Sequence, residues 1–191
     1  MIISHQKKLI FIHVHRTGGT SFGNLLYQAL PDWVEISPQH SNAMSIEADF
    51  FDAYADYFTF GFTRNPWERL LSWYALIFMQ DPKSLTEERK RFETFLEEDQ
   101  AADFSSHEFH YNSLDYFSTK KGEFVANKLL RFERLQEEVS KLSQQMNLDL
   151  NHLEKVNTSR SKNYRDFYTA KSREQIAQKC QKDIEYFNYS F

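Results

Sequence analysis

The sequence predicts an α/β fold, a short parallel β-sheet flanked by helices, because strand-like and helix-like stretches alternate along the chain. Residues 9–14 form a short apolar run, and residues 22–30 carry apolar side chains at helical spacing. A second apolar run over 58–63 is followed by a helix start at Asn65. A third pair lies within residues 128–146, where an apolar strand precedes an amphipathic helix.

Length and composition indicate one globular domain over residues 1–191. The 41% hydrophobic and 26% charged residues are ordinary values, and the net charge of −4 argues against a general nucleic-acid-binding protein. No apolar segment approaches the length of a transmembrane helix, and the run 9–14 is too short for a signal peptide, so we expect a cytoplasmic protein. Cys180 is the single cysteine, which leaves no internal disulfide and no cysteine-based metal site.

The turn between the first strand and the first helix has the composition of a phosphate site. A helix N-terminus presents backbone N–H groups and the positive end of the helix dipole, so it favours anions. Glycines would let the backbone approach a phosphate, an arginine supplies charge, and hydroxyl groups supply donors. The alternative is an ordinary strand–turn–helix whose glycines only turn the chain. The candidate residues are Arg16, Thr17, Gly18, Gly19, Thr20 and Ser21.

This turn differs from the phosphate loop of ATP- and GTP-binding proteins. That loop ends in Gly-Lys-Ser/Thr, in which the Lys follows the last Gly and the hydroxyl binds Mg²⁺. Here the cation, Arg16, precedes the glycines and no Lys follows them. The second strand ends in Arg64 rather than in an Asp that would hold Mg²⁺. The sequence therefore predicts a phosphate site that needs no metal.

The second informative stretch begins at Arg64, directly after the second predicted strand. Asn65, Pro66 and Glu68 have the pattern of a helix start, with Asn at the N-cap and Pro in the first position. Ser72 lies two turns beyond the cap and returns to nearly the same face. Arg64 and Ser72 are therefore expected to converge on one oxyanion. Alternatively, Arg64 binds carbonyl groups at the sheet edge and Ser72 lies on the helix surface.

His40 is placed where chemistry could occur. It follows the short predicted strand 33–36, and ligands of open α/β sheets bind in the crevice beyond the carboxyl ends of the strands. A histidine titrates near pH 6.5 in solution, so it can accept a proton near neutral pH. The alternative is a surface histidine without a role in chemistry. The competing bases are His13, His107 and His110.

Three further helices are predicted from composition, capping residues and apolar spacing. Residues 46–57 are acidic and aromatic, and we expect them to be helical. A capping box formed by Ser84 and Glu87 predicts a helix over 84–98 with an apolar face. A C-terminal helix is expected over residues 172–186.

Residues 12–22 and 62–74 together resemble the two phosphate-binding signatures of the sulfotransferases. They read Ile-His-Val-His-Arg-Thr-Gly-Gly-Thr-Ser-Phe and Phe-Thr-Arg-Asn-Pro-Trp-Glu-Arg-Leu-Leu-Ser-Trp-Tyr. The resemblance is greatest to the branch that sulfates carbohydrates, including heparan and chondroitin chains. It implies a P-loop nucleotide-kinase topology and transfer of a sulfuryl group from 3′-phosphoadenosine 5′-phosphosulfate (PAPS) to a hydroxyl acceptor on a carbohydrate, without a metal.

The resemblance also implies roles for individual residues. Residues 16–21 would hold the 5′-phosphosulfate of PAPS, and Arg64 with Ser72 would hold its 3′-phosphate. The family usually has Pro-Lys where this chain has His15 and Arg16, a change that keeps the charge but alters the geometry of the cation.

Three more residues take a role from the resemblance. His40 stands upstream of the second signature, where relatives in this branch carry a catalytic histidine. Arg160 and Lys162 are further candidates for the nucleotide phosphates, because in relatives this region closes over the nucleotide.

Two other functions stay open at the level of the sequence. A small-molecule kinase would share the sheet and the phosphate loop, but it would need Mg²⁺ ligands and a loop Lys that these motifs do not contain. A non-catalytic nucleotide-binding module would keep Arg16, Arg64 and Ser72, while His40 would lie far from the nucleotide.

Overall fold

The structure is a computed structural model, and it describes residues 1–47, 49–79, 81, 83–99, 109–150 and 163–191. The strands of the described residues are β1 (Ile2–Ser4), β2 (Leu9–Ile12), β3 (Val34–Glu35), β4 (Phe58–Thr63) and β5 (Lys128–Arg131). The α-helices of the same residues are α1 (Gly19–Ala29), α2 (Phe50–Ala53), α3 (Pro66–Phe78), α4 (Leu85–Glu97), α5 (Leu135–Met146), α6 (Ala170–Lys179) and α7 (Gln181–Phe187).

The described strands form one sheet in the order β3-β1-β2-β4-β5. The strands β2, β4 and β5 are parallel, with Ile12 opposite Gly61 and Gly61 opposite Leu129. The strand β1 runs antiparallel to both of its neighbours, β2 and β3. The predicted α/β fold is confirmed, and its parallel part consists of the three strands that the apolar runs predict.

The strand β1 is an element that the sequence pattern does not predict. Three residues are too few for a period to be recognised, and a polar turn follows them. The strand forms because Ile3 pairs with Ile10 of β2 and all three of its residues are buried. It lies between β2 and β3, so the sheet is mixed rather than purely parallel.

One face of the sheet packs against α1 and α5. Phe11, Phe60 and Phe62 of the central strands surround Phe22 of α1, with ring centroids 4.9 to 6.0 Å from its ring. Val139 of α5 belongs to the same buried cluster. Each large apolar side chain buried in this way contributes about 1.5–3 kcal/mol to folding. The apolar stripe predicted for the first helix is therefore part of the core.

The opposite face of the sheet has a second apolar cluster. Ile10 and Ile12 of β2 are buried there with Tyr116 and Phe117. The aromatic side chains of α2 are partly buried against this cluster. Among the described residues of the range 46–57, which the sequence predicts to be helical, only the four residues of α2 form an α-helix.

The starts of α3 and α4 follow the predicted capping chemistry. The side chain of Asn65 accepts hydrogen bonds from the N–H groups of Trp67 at 3.1 Å and Glu68 at 3.4 Å. Ser84 and Glu87 form the predicted capping box of α4. Each cap satisfies N–H groups that have no partner inside the helix, a contribution of about 1 kcal/mol.

The predicted C-terminal helix over residues 172–186 is interrupted at Cys180, where φ is −109° and ψ is 23°. The side chain of Asn112 inserts at this point. Its Nδ2 donates to the carbonyl of Lys179 at 3.1 Å, and its Oδ1 accepts from the N–H of Asp183 at 3.2 Å. These two backbone groups would bond to each other in a continuous helix. The prediction of one helix is therefore wrong, because a side-chain amide from a distant loop replaces a helical hydrogen bond.

The chain divides into two compact units. The first comprises Met1–Thr63 and Asp115–Val156, and the second comprises Arg64–Leu114 and Asn157–Phe191. The first unit contains the sheet with α1, α2 and α5, and the second contains α3, α4, α6 and α7 with an aromatic core of their own. A single domain over residues 1–191 remains a prediction. Within the described ranges, no helix combines the length and the apolar character that a membrane span requires.

Candidate functional site

The turn between β2 and α1 has the backbone geometry of an anion site. Gly18 precedes the helix in the left-handed region, with φ 79° and ψ 8°, and Arg16 is also left-handed, with φ 62°. The N-cap residue is Gly18, which has no side chain to accept a hydrogen bond from the first turn of α1. The N–H groups of this turn are therefore not used by an N-cap side chain, an arrangement that favours binding of an anion at a helix N-terminus.

Close packing requires both glycines of this turn. A Cβ at Gly18 would lie 2.6 Å from Cε2 of Phe132, and the left-handed φ would add strain. A Cβ at Gly19 would lie 2.0 Å from Cδ2 of His13. The glycines therefore bring the backbone against Phe132 and His13, a packing role that the sequence pattern does not reveal.

The three hydroxyl residues of the turn differ in their surroundings. Thr17 is 1% exposed, and its hydroxyl donates to the carbonyl of Val14 at 2.9 Å, so its proton closes the turn. Thr20 is exposed, and its Oγ1 accepts a hydrogen bond from Gln39 Nε2 at 3.2 Å. Ser21 is exposed in the first turn of α1. Thr20 and Ser21 are thus the two hydroxyls of the turn that solvent can reach.

Three histidines meet next to this turn. The ring of His40 contacts the rings of His13 and His15, with centroids 4.1 Å and 3.8 Å away. His13 and His15 are buried, and His40 is half-buried in the loop after β3, with a left-handed φ of 69°. The structure therefore brings the predicted base into contact with the residues that lead into the phosphate turn.

The hydrogen bonds of the cluster determine where the rings of His40 and His13 carry their protons. His40 Nδ1 lies 3.1 Å from the carbonyl oxygen of His13, which can only accept, so Nδ1 donates. In the neutral ring the lone pair is then on Nε2, the atom that can take up a proton. His13 has the opposite arrangement, because its Nδ1 accepts from Gln39 Nε2 at 3.1 Å. Nδ1 of His15 is hydrogen-bonded to the hydroxyl of Tyr116 at 2.6 Å.

Burial lowers the pKa of His13 well below its usual value of 6.5, and the nearby His40 and Arg16 lower it further. An imidazolium at this position would lose its hydration and face other cationic groups. His13 is therefore neutral at neutral pH.

This shift predicts a loss of stability on mild acidification. Below about pH 6.5 the unfolded chain binds a proton at His13 that the folded chain excludes, so the free energy of unfolding falls as the pH falls. The slope from one such group is at most ~1.4 kcal/mol per pH unit. Urea unfolding between about pH 5 and 7.5 should show this slope, and His13→Gln should reduce it. The exposed His5 provides the control His5→Gln, and an equal slope in all three proteins would contradict the prediction.

The second predicted site residue, Arg64, is 5% exposed and follows β4 directly. Its Nη2 lies 3.2 Å from Oε2 of Glu68, one helical turn away. Ser72 of α3 is 3% exposed, so its side chain is buried rather than on a solvent-facing side of the helix. Burial of a guanidinium requires charged or polar partners, and Glu68 is one of them. The sequence identifies Glu68 as a cap residue but not as the partner of Arg64.

Several predicted positions lie outside the described residues, namely His107, Arg160 and Lys162. His110 is described, and its backbone carbonyl accepts a hydrogen bond from Arg69 Nη2 at 2.6 Å. In the described ranges, no group of three or more His, Cys, Asp or Glu side chains is arranged to hold a metal ion.

Sequence reasoning missed three residues that shape the site. Gln39 links His13 to Thr20, Tyr116 binds His15, and Phe132 packs against the phosphate turn. A signal exists only for Gln39, which is the polar neighbour of His40. Tyr116 and Phe132 are distant in sequence from the residues that they contact.

Comparison of the chain with models of known protein families agrees with the two signatures. A family model described as the sulfotransferase family matches residues 1–190, so the match includes both stretches. It is a match to the family as a whole rather than to its carbohydrate branch. A search of the curated proteins and a search of the solved structures returned no significant match.

Proposed function

Because the chain belongs to the sulfotransferase family, we propose that it transfers a sulfuryl group from PAPS to a hydroxyl group of a carbohydrate. The observation that carries this proposal is the position of His40. Its Nδ1 is held by the His13 carbonyl at 3.1 Å, which leaves Nε2 as the proton acceptor beside the phosphate turn.

The proposed chemistry is an in-line displacement at sulfur. The acceptor oxygen forms the new S–O bond while the bond from sulfur to the bridging phosphate oxygen breaks. The acceptor proton passes to Nε2 of His40, which acts as general base. Negative charge grows on the departing phosphate oxygen, where Arg16 and the N–H groups of the turn would stabilise it.

We assign the donor phosphates to the two signatures. Residues 16–21 would bind the 5′-phosphosulfate, because they combine first-turn N–H groups, exposed hydroxyls and a cation. Arg64 and Ser72 would bind the 3′-phosphate, for which a guanidinium fork is well suited. Arg160 stays a proposed phosphate contact from the resemblance alone.

The proposal is tested by supplying labelled PAPS with saccharide acceptors and measuring labelled product. We expect transfer from PAPS without added metal and unchanged turnover in EDTA, because a sulfuryl group carries less charge than a phosphoryl group and Arg64 occupies the strand end where a kinase holds Mg²⁺. Labelled ATP with Mg²⁺ is the matched control donor. Transfer from ATP, or turnover that EDTA abolishes and Mg²⁺ restores, would support a kinase instead.

A further inference from the structure

A cavity of about 230 Å³ lies next to the phosphate turn, within the first unit. The cavity is lined by residues of α1, by Glu35 of β3, by Gln39 in the loop after β3, and by His13. Sites for drug-sized ligands have volumes of roughly 300–1,000 Å³, so this cavity suits a single small ring. His13 links it to the proposed base, since its ring contacts that of His40 at 4.1 Å.

The helix α1 presents a second stripe to this cavity, separate from its core stripe. Thr20, Gly23, Asn24 and Tyr27 line the cavity and recur at the i, i+3, i+4 and i+7 spacing of one helix face. Thr20, Asn24 and Tyr27 are exposed. This stripe is the solvent-facing side of the amphipathic helix α1, and it supplies polar groups to the wall of the cavity.

The side chains around the cavity are of the types that bind sugars. The ring of Tyr27 is 45% exposed and offers an apolar face on which the C–H groups of a sugar ring can stack. Burial raises the pKa of Tyr27, and the negative charge of the nearby Glu35 raises it further. A carboxylate accepts two hydroxyl hydrogen bonds, and the amide of Asn24 can both donate and accept. Gln39 can accept through Oε1, since its Nε2 already donates to His13 and Thr20.

The charge of the lining selects among sugars. Glu35 is exposed on the edge strand β3, and no Lys or Arg occurs among the described residues that line the cavity. The imidazole of His13 is neutral, as its lowered pKa requires. Met1 also lines the cavity, but burial lowers the pKa of its amino group to about 6, so that group is largely uncharged at neutral pH. A uronate or a sulfated sugar would therefore place its negative charge near Glu35 without a charged group of opposite sign in the lining, which disfavours binding.

We propose that this cavity binds a neutral sugar ring of the acceptor, with Tyr27 as the stacking surface and Glu35, Asn24 and Gln39 as hydroxyl contacts. The inference rests on the proposed function and narrows it. It selects neutral saccharides over the uronate-bearing heparan and chondroitin chains that the family resemblance implies.

The first test measures binding in the absence of any donor. Neutral β-linked disaccharides of glucose and of N-acetylglucosamine are compared with a uronate-bearing disaccharide of unsulfated chondroitin, by calorimetry or ligand-observed NMR. We expect the neutral sugars to bind at least about tenfold more tightly. Tyr27→Ala and Glu35→Gln should each weaken that binding by about tenfold, and Glu35→Lys should shift the preference toward the uronate.

Matched variants elsewhere on the surface serve as controls. Tyr186→Ala removes a ring that is 66% exposed on α7, and Glu123→Lys reverses an exposed charge away from the cavity. Neither control should alter saccharide binding. Tighter binding of the uronate, or neutral-sugar binding that Tyr27→Ala and Glu35→Lys leave unchanged, would overturn the inference.

A second measurement separates this inference from the proposed function. With PAPS present, transfer to uronate-bearing acceptors alone would overturn the neutral-sugar cavity and leave sulfuryl transfer in place. Neutral-sugar binding that depends on Tyr27 and Glu35, without transfer from PAPS to any saccharide, would support the cavity and overturn the proposed function.

Discussion

Replacement of His40 by Ala is expected to lower kcat by about 10²–10⁴-fold, the usual contribution of a general base. The ring of His40 donates through Nδ1 to the carbonyl of His13, so Nε2 is the nitrogen that takes up the proton of the substrate hydroxyl. The affinity for the donor should barely change, because His40 is not among the proposed phosphate-binding residues. Steady-state transfer from PAPS gives kcat, and calorimetry with adenosine 3′,5′-bisphosphate gives the donor-site affinity.

Two further variants sharpen this test. His40→Asn keeps a hydrogen-bonding side chain but removes the titrating nitrogen, so it should be nearly as inactive as His40→Ala. His5→Ala removes an exposed histidine outside the cluster and should leave turnover unchanged. Near-normal turnover of His40→Ala, or loss of nucleotide binding, would show that another residue is the base. The candidates His13, His107 and His110 would then be tested in that order.

Replacement of Arg64 by Ala is expected to abolish the preference for adenosine 3′,5′-bisphosphate over AMP. A hydrogen bond to a charged group contributes about 1.5–3 kcal/mol, which corresponds to roughly 10–150-fold in affinity. Arg64→Lys should retain only part of the preference, because an ammonium group cannot form the two parallel bonds of a guanidinium. Calorimetric titration of each variant with both nucleotides measures the difference.

The pairing of Arg64 with Glu68 provides an internal check. Glu68→Gln removes the carboxylate that would compete with a phosphate for the guanidinium, so it should raise the affinity for the bisphosphate. Arg89→Ala removes another arginine of the second unit and should have no effect on the preference. Equal affinity of the unaltered protein for AMP and the bisphosphate would contradict the assignment of Arg64 to the 3′-phosphate.

The parts of this protein that short-range chemistry determines could be predicted from the sequence. The apolar runs became the parallel strands, and the caps at Asn65 and Ser84 became helix starts, because each depends on residues a few positions apart. The phosphate turn and the second signature also lie in continuous stretches of chain. For that reason they sufficed to indicate the sulfotransferase family, which the match over residues 1–190 confirms.

Tertiary structure alone decided the features that depend on residues far apart in the chain. The strand β1 exists only through pairing with its neighbours. The C-terminal helix is interrupted by the side chain of Asn112, which belongs to a distant loop, so the local sequence of the helix does not reveal the interruption. The tautomer of His40 depends on the carbonyl of His13, which lies 27 residues away. The sequence by itself therefore determined the three parallel strands, the caps and the motif residues. Folding decided which of their side chains meet, because a contact between distant segments leaves no period in the sequence.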